Sequence, residues 1–136
     1  MERIALHNKK GMTLLEVLIA LVILMIVSLA LMQTALLGIR ENLRNSLRDE
    51  AVNIADQRMN ELRNTDFNST DLALATNVSE TVISRTFRAA TVPFQPIRSV
   101  TPVGSDLNTK QITMAIGWTF SGQTYTHSVT TIVRGQ

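Results

Sequence analysis

Residues 11–32 read GMTLLEVLIALVILMIVSLALM, and this stretch decides the architecture of the chain. Residues 12–32 are almost all apolar and contain a single carboxylate, Glu16. Because an α-helix rises 1.5 Å per residue, about 21 residues cover about 30 Å, the thickness of the hydrocarbon core of a bilayer. We therefore predict a membrane-spanning helix. A charge near the middle of such a helix costs on the order of 3 kcal/mol, so Glu16 is a candidate functional residue.

A short basic segment precedes the apolar stretch. Residues 1–11 include Lys9 and Lys10 directly before Gly11. Basic residues that flank a membrane helix stay on the cytoplasmic side, so we expect the chain after the helix to be exported. The apolar run is longer than that of an ordinary signal peptide, which favours an anchor. Ser28-Leu29-Ala30 is a weak alternative as a signal-peptidase site.

The exported part of the chain carries no net charge. The sequence has 13 basic and 11 acidic residues, and ten of each remain when residues 1–11 are left out. A surface that binds a nucleic-acid backbone needs an excess of positive charge, so the composition argues against such a partner. The sequence has no cysteine, which excludes a disulfide framework, a thiolate metal site and a cysteine nucleophile.

Helical periodicity continues beyond the apolar run. No proline interrupts residues 12–63, and Gly38 is the only glycine in that range. We predict one helix of about 50 residues, whose second half carries an apolar stripe along one face. The stripe consists of Leu36, Ile39, Leu43, Leu47, Ala51, Ile54, Ala55 and Leu62.

The middle of the chain has weaker signals. Residues 64–79 are rich in Asn, Ser, Thr and Asp, which predicts a loop with a short helical turn near residues 72–75. Residues 80–92 are rich in β-branched side chains and predict a single strand. Pro93, Pro96 and Pro102 then predict an irregular connection that continues through Gly104-Ser105-Asp106.

The end of the chain predicts a β-hairpin around the turn Ser121-Gly122-Gln123. Before the turn, apolar residues alternate at Ile112, Met114, Ile116, Trp118 and Phe120. After the turn the alternation continues at Tyr125, His127, Val129, Thr131 and Val133. The apolar face of this hairpin needs a partner, and the helical stripe over residues 43–62 can supply one. The expected fold class is therefore α+β: a long N-terminal helix, transmembrane in its first half, packed by its second half on a small antiparallel sheet.

The sequence offers little for catalysis. His127 lies in a Thr/Ser-rich strand and His7 lies in the basic leader, so neither is expected to be a ligand or a base. Asp66, Asp71 and Asp106 are scattered over loops without the spacing of a calcium loop. Trp118 and Tyr125 are better explained by sheet packing than by base stacking. We expect no enzymatic activity, no cofactor and no metal.

Glu16 has two interpretations. As an acid four residues into a helix, it is tolerated at the membrane interface by the positive end of the helix dipole. Alternatively, a cut after Gly11 would leave a new amine on Met12. A buried amine and a buried carboxylate are each costly alone and attract strongly together. Glu16 could meet Met12 of its own helix or of a staggered parallel neighbour.

The motif at these residues resembles a known signal. Gly11, Thr13-Leu14-Leu15-Glu16 and the apolar run are similar to the class III signal of type IV pilins and type II secretion pseudopilins. The resemblance implies that a prepilin peptidase cuts between Gly11 and Met12 and methylates the amine of Met12. It implies that Glu16 neutralises the amine of a neighbouring subunit and that the helix packs in a filament core. The family usually has Phe where this chain has Met12.

Looser similarities indicate a subfamily. Ala51, Ile54-Ala55, Met59 and Glu61-Leu62-Arg63, with residues 112–118 and the returning strand, resemble V-type minor pilins and the related I-type minor pseudopilins. Major pilins often carry a proline inside the apolar run and a C-terminal disulfide loop, and this sequence has neither. The resemblance therefore implies a minor pilin at an initiating or tip position. The alternatives are a minor pseudopilin, a DNA-uptake pilin using Arg85, Arg88 and Arg98, and a signal-anchored binding module.

These interpretations give a pilin-like domain organisation. Residues 1–11 are expected to be a cleaved leader, residues 12–33 a transmembrane and filament-core helix, and residues 34–136 an exported globular domain whose helix continues to about residue 63. The implied location is the bacterial inner membrane, single-pass with a cytoplasmic N-terminus, and then a periplasmic or extracellular filament. The implied partners are prepilin peptidase, other pilin or pseudopilin subunits and an inner-membrane assembly platform.

Overall fold

The computed structural model describes residues 13–87 and 90–135, apart from the side chain of Leu107. These described residues form one helix, a short 3-10 turn at Thr70–Leu72 and five strands. The elements are α1 (Leu14–Arg63), β1 (Ala75–Ser79), β2 (Ile83–Phe87), β3 (Ala90–Val103), β4 (Asp106–Phe120) and β5 (Gln123–Arg134). The chain divides into an N-terminal unit that ends at Glu41 and a globular unit that begins at Asn42.

Among the described residues, the N-terminal unit consists of Thr13 and the first part of α1, and the apolar residues of that part are exposed on every side. Leu14 is 80% exposed and Met25 is 66% exposed. No residue in the most apolar stretch of 18 residues is buried. Its length and composition are sufficient to cross a membrane. A helix that is apolar all round belongs in a bilayer or among other helices, because water cannot solvate it favourably.

The part of α1 within the globular unit buries one face, as the stripe predicts. Six residues are buried at three- and four-residue steps: Leu47, Ala51, Ile54, Ala55, Met59 and Leu62. Leu43 is half-buried at the edge of this set. Leu36 and Ile39, the first residues of the periodic stripe, are about half exposed, and the part that was predicted to pack on the sheet, residues 43–62, is the part that is buried. The prediction omitted Met59, which completes the buried face.

The five strands form one antiparallel sheet in the order β1-β3-β4-β5, and β2 pairs with β3 beside β1. The predicted hairpin is confirmed as β4 and β5, which pair continuously from Phe120↔Gln123 to Thr109↔Arg134. Its turn consists of Ser121 and Gly122, with φ angles of 51° and 77°. Two positive φ angles are typical of a type I′ turn, whose twist matches that of the strands.

The core lies between α1 and one face of the sheet. The alternating row of β4 is buried as predicted at Ile112, Met114, Ile116 and Trp118. Phe94 and Val100 from β3 lie in the same cluster as the buried face of α1. The predicted α+β architecture, a long N-terminal helix with a small antiparallel sheet, is thus confirmed.

The middle of the chain differs from the prediction. Residues 80–92 do not form one strand, because β2 ends at Phe87 and pairs back on the start of β3, with Ile83 opposite Phe94 and Phe87 opposite Ala90. The segment with three prolines is not an irregular connection, because β3 runs through all of them from Ala90 to Val103. Only Gly104 and Ser105 form the turn that follows.

The prolines fit a central strand because of where their missing N–H groups would point. The carbonyl of Pro96 accepts a hydrogen bond from the amide of Glu80, so the nitrogen of Pro96 faces the same side. On that side β1 ends at Ser79 and β2 begins only at Ile83, so Pro96 faces the gap between these two strands. The missing N–H of Pro96 therefore removes no hydrogen bond from a ladder. Backbone groups alternate in direction along a strand, so the nitrogen of Pro102 faces the β1 side, beyond the last pair between β1 and β3. The nitrogen of Pro93 faces the β4 side, where pairing between β3 and β4 begins only at Phe94.

The predicted loop over residues 64–79 also contains a strand. The predicted helical turn is present slightly earlier, at Thr70–Leu72, and it places Leu72 in the core. β1 follows at Ala75–Ser79 with an irregularity between Ala75 and Val78. Asn77 in that irregularity has a φ of 56°, a conformation that Asn tolerates better than most residues. The polar composition concealed this strand.

Two isoleucines on α1 provide a test of the core. Ile54 is 2% exposed and Ile39 is 49% exposed. We expect Ile54→Ala to lower the free energy of unfolding by about 2–5 kcal/mol, because it leaves a cavity against the sheet. The matched change Ile39→Ala should alter it by no more than about 0.5 kcal/mol. Denaturant unfolding of the full chain in detergent, followed by Trp118 fluorescence, measures both. Equal effects would contradict the packing of α1 on the sheet.

Candidate functional site

The N-terminus of α1 is capped by Thr13. The hydroxyl of Thr13 accepts a hydrogen bond from the amide of Glu16 at 3.2 Å. Its carbonyl accepts from the amides of Glu16 and Val17 at 3.0 and 3.2 Å. Thr13 is therefore the N-cap and Glu16 is the third helical residue, the spacing of a capping box. Sequence reasoning missed this role, although the pattern Thr-x-x-Glu could have indicated it.

The carboxylate of Glu16 is not used by the described part of the chain. Glu16 is exposed, and among residues 13–87 and 90–135 no cation forms an ion pair with it. The cap uses the amide of Glu16 and leaves its side chain open to a partner. Gly11 and Met12, the predicted cleavage and methylation residues, lie outside the described residues.

This arrangement gives Glu16 a clear chemical capacity. The carboxylate lies in the first turn of a helix whose following turns are apolar and exposed. The positive end of the helix dipole favours an anion at this position. In a low-dielectric environment the carboxylate would attract any amine within a few ångströms much more strongly than in water. The site can therefore select a cation that arrives with another apolar helix.

The three candidate acids of the loops do not come together. Asp106 binds its own turn, where its carboxylate accepts from the amide of Asn108 at 2.9 Å and from the hydroxyl of Thr109 at 2.7 Å. Asp71 lies 3.8 Å from Arg98. The described residues contain no cluster of three or more His, Asp or Glu side chains that could hold a metal.

A cluster of charges joins several elements of the globular unit. The side chain of Arg98 on β3 is 13% exposed, and its guanidinium lies 3.5 Å from the carboxylate of Glu80 and 3.8 Å from that of Asp71. Glu80 also lies 3.9 Å from Arg58 on α1. These ion pairs connect α1, the 3-10 turn, the link between β1 and β2, and β3. Breaking a partly buried pair leaves an uncompensated charge, so we assign the cluster a structural role.

The arginines considered for a nucleic-acid surface are used within the fold. Arg85 donates to Glu50 at 2.8 Å, and Arg98 belongs to the cluster described above. Arg88 lies outside the described residues. A nearby carboxylate neutralises Arg85 and another neutralises Arg98, so these two arginines do not form a positively charged surface for phosphates.

Aromatic residues line a shallow cleft where β4 and β5 meet α1. Trp118 is 6% exposed and stacks on Tyr125 at a centroid distance of 5.7 Å, which supports the predicted packing role. The guanidinium of Arg44 lies 5.6 Å from the Tyr125 ring. The half-buried His127 lines the same cleft. The full lining is Arg44, Asn45, Arg48, Trp118, Tyr125, Thr126 and His127.

Comparison with known proteins identifies the N-terminal stretch. Residues 6–32 match the model of the prokaryotic N-terminal methylation motif. The match covers about a fifth of the 136 residues and includes Gly11, Met12 and Glu16. No curated protein and no solved structure matches the chain.

The motif supports the type IV pilin and pseudopilin family and indicates a pilin-like or pseudopilin-like precursor. It implies processing by a prepilin peptidase and assembly with other pilin-type subunits, which are structural rather than enzymatic proteins. Together with the exposed apolar helix, it also indicates membrane anchoring.

The turn at Asp106 predicts a pH dependence. The hydroxyl of Thr109 and the amide of Asn108 lower the pKa of Asp106 below its usual value, because both bonds favour the charged carboxylate. The resulting stabilisation is fully present above the unfolded-state pKa of about 3.9 and is lost as the pH falls through the lower folded pKa. We expect Asp106→Asn to lower the midpoint of denaturant unfolding slightly at pH 7. Below the folded-state pKa of Asp106, where the carboxyl is protonated, we expect no difference from the wild type. A difference that stays constant with pH would contradict this role.

Proposed function

We propose that this chain is a minor subunit of a type IV pilus, synthesised as a membrane-inserted precursor and incorporated at an initiating or tip position. One observation carries the proposal: the methylation motif over residues 6–32 leads directly into a helix whose apolar side chains are exposed all round. Such a helix requires a bilayer first and a bundle of similar helices afterwards. Exchange between these two environments is the physical basis of filament assembly from a membrane.

Processing divides the chain at Gly11. In this proposal residues 1–11 are a leader that prepilin peptidase removes, and the new amine of Met12 is methylated. Residues 12–33 cross the inner membrane with the leader on the cytoplasmic side and later enter the filament core. Residues 34–136 are exported. The basic leader supports the orientation, because Lys9 and Lys10 hold that end in the cytoplasm.

Glu16 sets the register between subunits. Its carboxylate has no cationic partner within the described residues, while its amide is already used by the Thr13 cap. A bare carboxylate in an apolar bundle costs several kcal/mol, and the amine of Met12 from a neighbour would offset that cost. Subunits that place the amine elsewhere along the helix would leave two unpaired charges. Only a fixed stagger between parallel helices satisfies both groups.

A minor role is supported by the looser similarities to V-type minor pilins and by the small sheet domain. A minor pseudopilin of a type II secretion system is the second candidate, because the motif and the helix fit both machines. Deleting the chain distinguishes them: loss of surface pili, with the adhesion and motility they support, favours the first. Loss of exoprotein secretion with normal pili favours the second. A DNA-uptake pilin has weaker support because Arg85 and Arg98 are already ion-paired.

The cleavage proposal is tested at Gly11. We expect Gly11→Val to block processing, because a β-branched side chain restricts the backbone approach that glycine allows at the scissile bond. Mass spectrometry of the chain from cells with the peptidase should show the full-length precursor instead of a product that begins at Met12. Gly38→Val is the matched control, since a Cβ atom at Gly38 meets nothing within 4 Å. Normal shortening of Gly11→Val would refute the cleavage site.

The assembly proposal is tested at Glu16. We expect Glu16→Ala to keep membrane insertion and cleavage but to reduce incorporation into sheared filaments about tenfold or more, because the neighbour's amine is left unpaired. Asp49→Ala is the control, an exposed acid on the same helix. Quantitative immunoblots of membrane and filament fractions measure both variants. Equal incorporation of the two variants would remove the register role of Glu16.

A further inference from the structure

The sheet ends in a long strand with an open edge. β5 pairs with β4 on one side, and in the described part of the chain no strand pairs with its other side. It is 12 residues long and keeps register with β4 throughout, without a bulge. Residues 123–133 contain no Pro, Lys, Arg, Asp or Glu. Proteins usually protect an exposed edge with such residues or with bulges, because unpaired backbone groups invite another strand.

The opposite edge of the same sheet is protected in these ways. There β3 is covered by two five-residue strands, β1 and β2, instead of one long strand. β1 carries the irregularity at Asn77. The gap between the strands is closed by Gln95, whose amide donates to the carbonyl of Glu80 at 2.8 Å. The contrast indicates that the open edge of β5 is a specific feature of this domain.

Backbone alternation shows which groups of β5 are available. Phe120 and Gln123 flank a two-residue turn and form a hydrogen-bonded pair, so odd-numbered residues of β5 bond to β4. The amide of Gly135 continues this pattern and donates to the carbonyl of Asn108 at 2.8 Å. The even-numbered residues, such as Thr126, Ser128 and Thr130, therefore direct their N–H and C=O groups away from the sheet.

The side chains beside this edge define the chemistry of an incoming strand. The inward row of β5 is only half-buried, since no further strand continues the apolar face: it consists of Tyr125, His127, Val129, Thr131 and Val133. Apolar residues at alternate positions of a new strand would complete their burial. At one end of β5, Arg48 lines the cleft beside Tyr125 and His127, and no carboxylate of the described residues forms an ion pair with Arg48. An acidic side chain would be favoured there.

We propose that β5 is a docking edge for an extended segment of a partner protein, added as a further antiparallel strand. The segment carries apolar side chains at alternate positions and an acidic residue that reaches Arg48 beside Tyr125 and His127. Main-chain hydrogen bonds to the outward groups of β5 supply affinity, and the guanidinium of Arg48 supplies orientation. The inference concerns the globular unit and holds for either candidate machine.

A second copy of this chain fits the edge less well. The exposed edge of a second β5 would bring no carboxylate, because residues 123–133 contain none. Pairing of two β5 edges would therefore place no carboxylate of residues 123–133 beside Arg48. Charge complementarity therefore favours a different, acidic segment.

The test uses the full chain in detergent and two labelled synthetic peptides. Each peptide has eleven residues that alternate threonine and valine. One carries a glutamate near its C-terminus, where antiparallel pairing brings it to the cleft, and the other carries a lysine there. We expect the glutamate peptide to bind more tightly in fluorescence anisotropy titrations. Arg48→Gln should reduce the difference between the peptides several-fold.

Ser128 provides the backbone test. Ser128→Pro removes one outward N–H and no bond to β4, and we expect it to weaken binding of the glutamate peptide about tenfold or more. Ser128→Ala, which removes the hydroxyl and keeps the N–H, should bind like the wild type. Circular dichroism and Trp118 fluorescence check that both variants fold.

A measurement on the unmutated chain is independent of folding defects. The bound peptide should slow hydrogen exchange at the amides of Thr126, Ser128 and Thr130 and leave Tyr125 and His127 unchanged, since these already bond to β4. Equal binding to Ser128→Pro, or unchanged exchange at the even-numbered amides, would overturn the proposal. Dimerisation of the full chain that Ser128→Pro abolishes would assign the edge to a second copy and would also overturn it.

Discussion

The apolar surface around the first half of α1 is the constraint on which the rest of this protein depends. Residues such as Leu14 and Met25 are exposed on all sides of the helix, and water cannot be their stable environment. The segment must lie in a bilayer or among similar helices. Glu16 adds a second requirement, because a carboxylate in such surroundings needs a cation. Together these requirements limit the environments in which the first part of α1 is stable, and they are the physical basis of the proposed assembly role.

The same helix meets a different requirement in the globular unit. After Glu41 the apolar residues narrow to one face, and that face is buried against the sheet by Leu47, Ile54 and Leu62. Helix stability there comes from tertiary packing rather than from intrinsic propensity. One continuous helix therefore has two different surfaces, since its first part is apolar and exposed all round while its second part buries one face in a small core.

The sheet shows how position within a fold changes the meaning of a residue. Three prolines in β3 would normally argue against a central strand, but each missing N–H faces a gap or the end of a ladder. The protection of the β1 and β2 edge and the openness of the β5 edge likewise depend on which strands are neighbours. Loop-like composition over residues 64–79 concealed β1 for the same reason, because its pairing with β3 is a long-range contact.

The sequence by itself determined the long helix, the β4–β5 hairpin, the fold class and the methylation motif over residues 6–32. These features rest on local signals: unbroken apolar length, strict alternation and residues at fixed spacing. Only the tertiary structure decided the sheet order, the course of β3 through its prolines, and the use of Arg85 and Arg98 in ion pairs. These depend on which distant residues meet, and period and composition contain no information about partners that lie far apart in the chain.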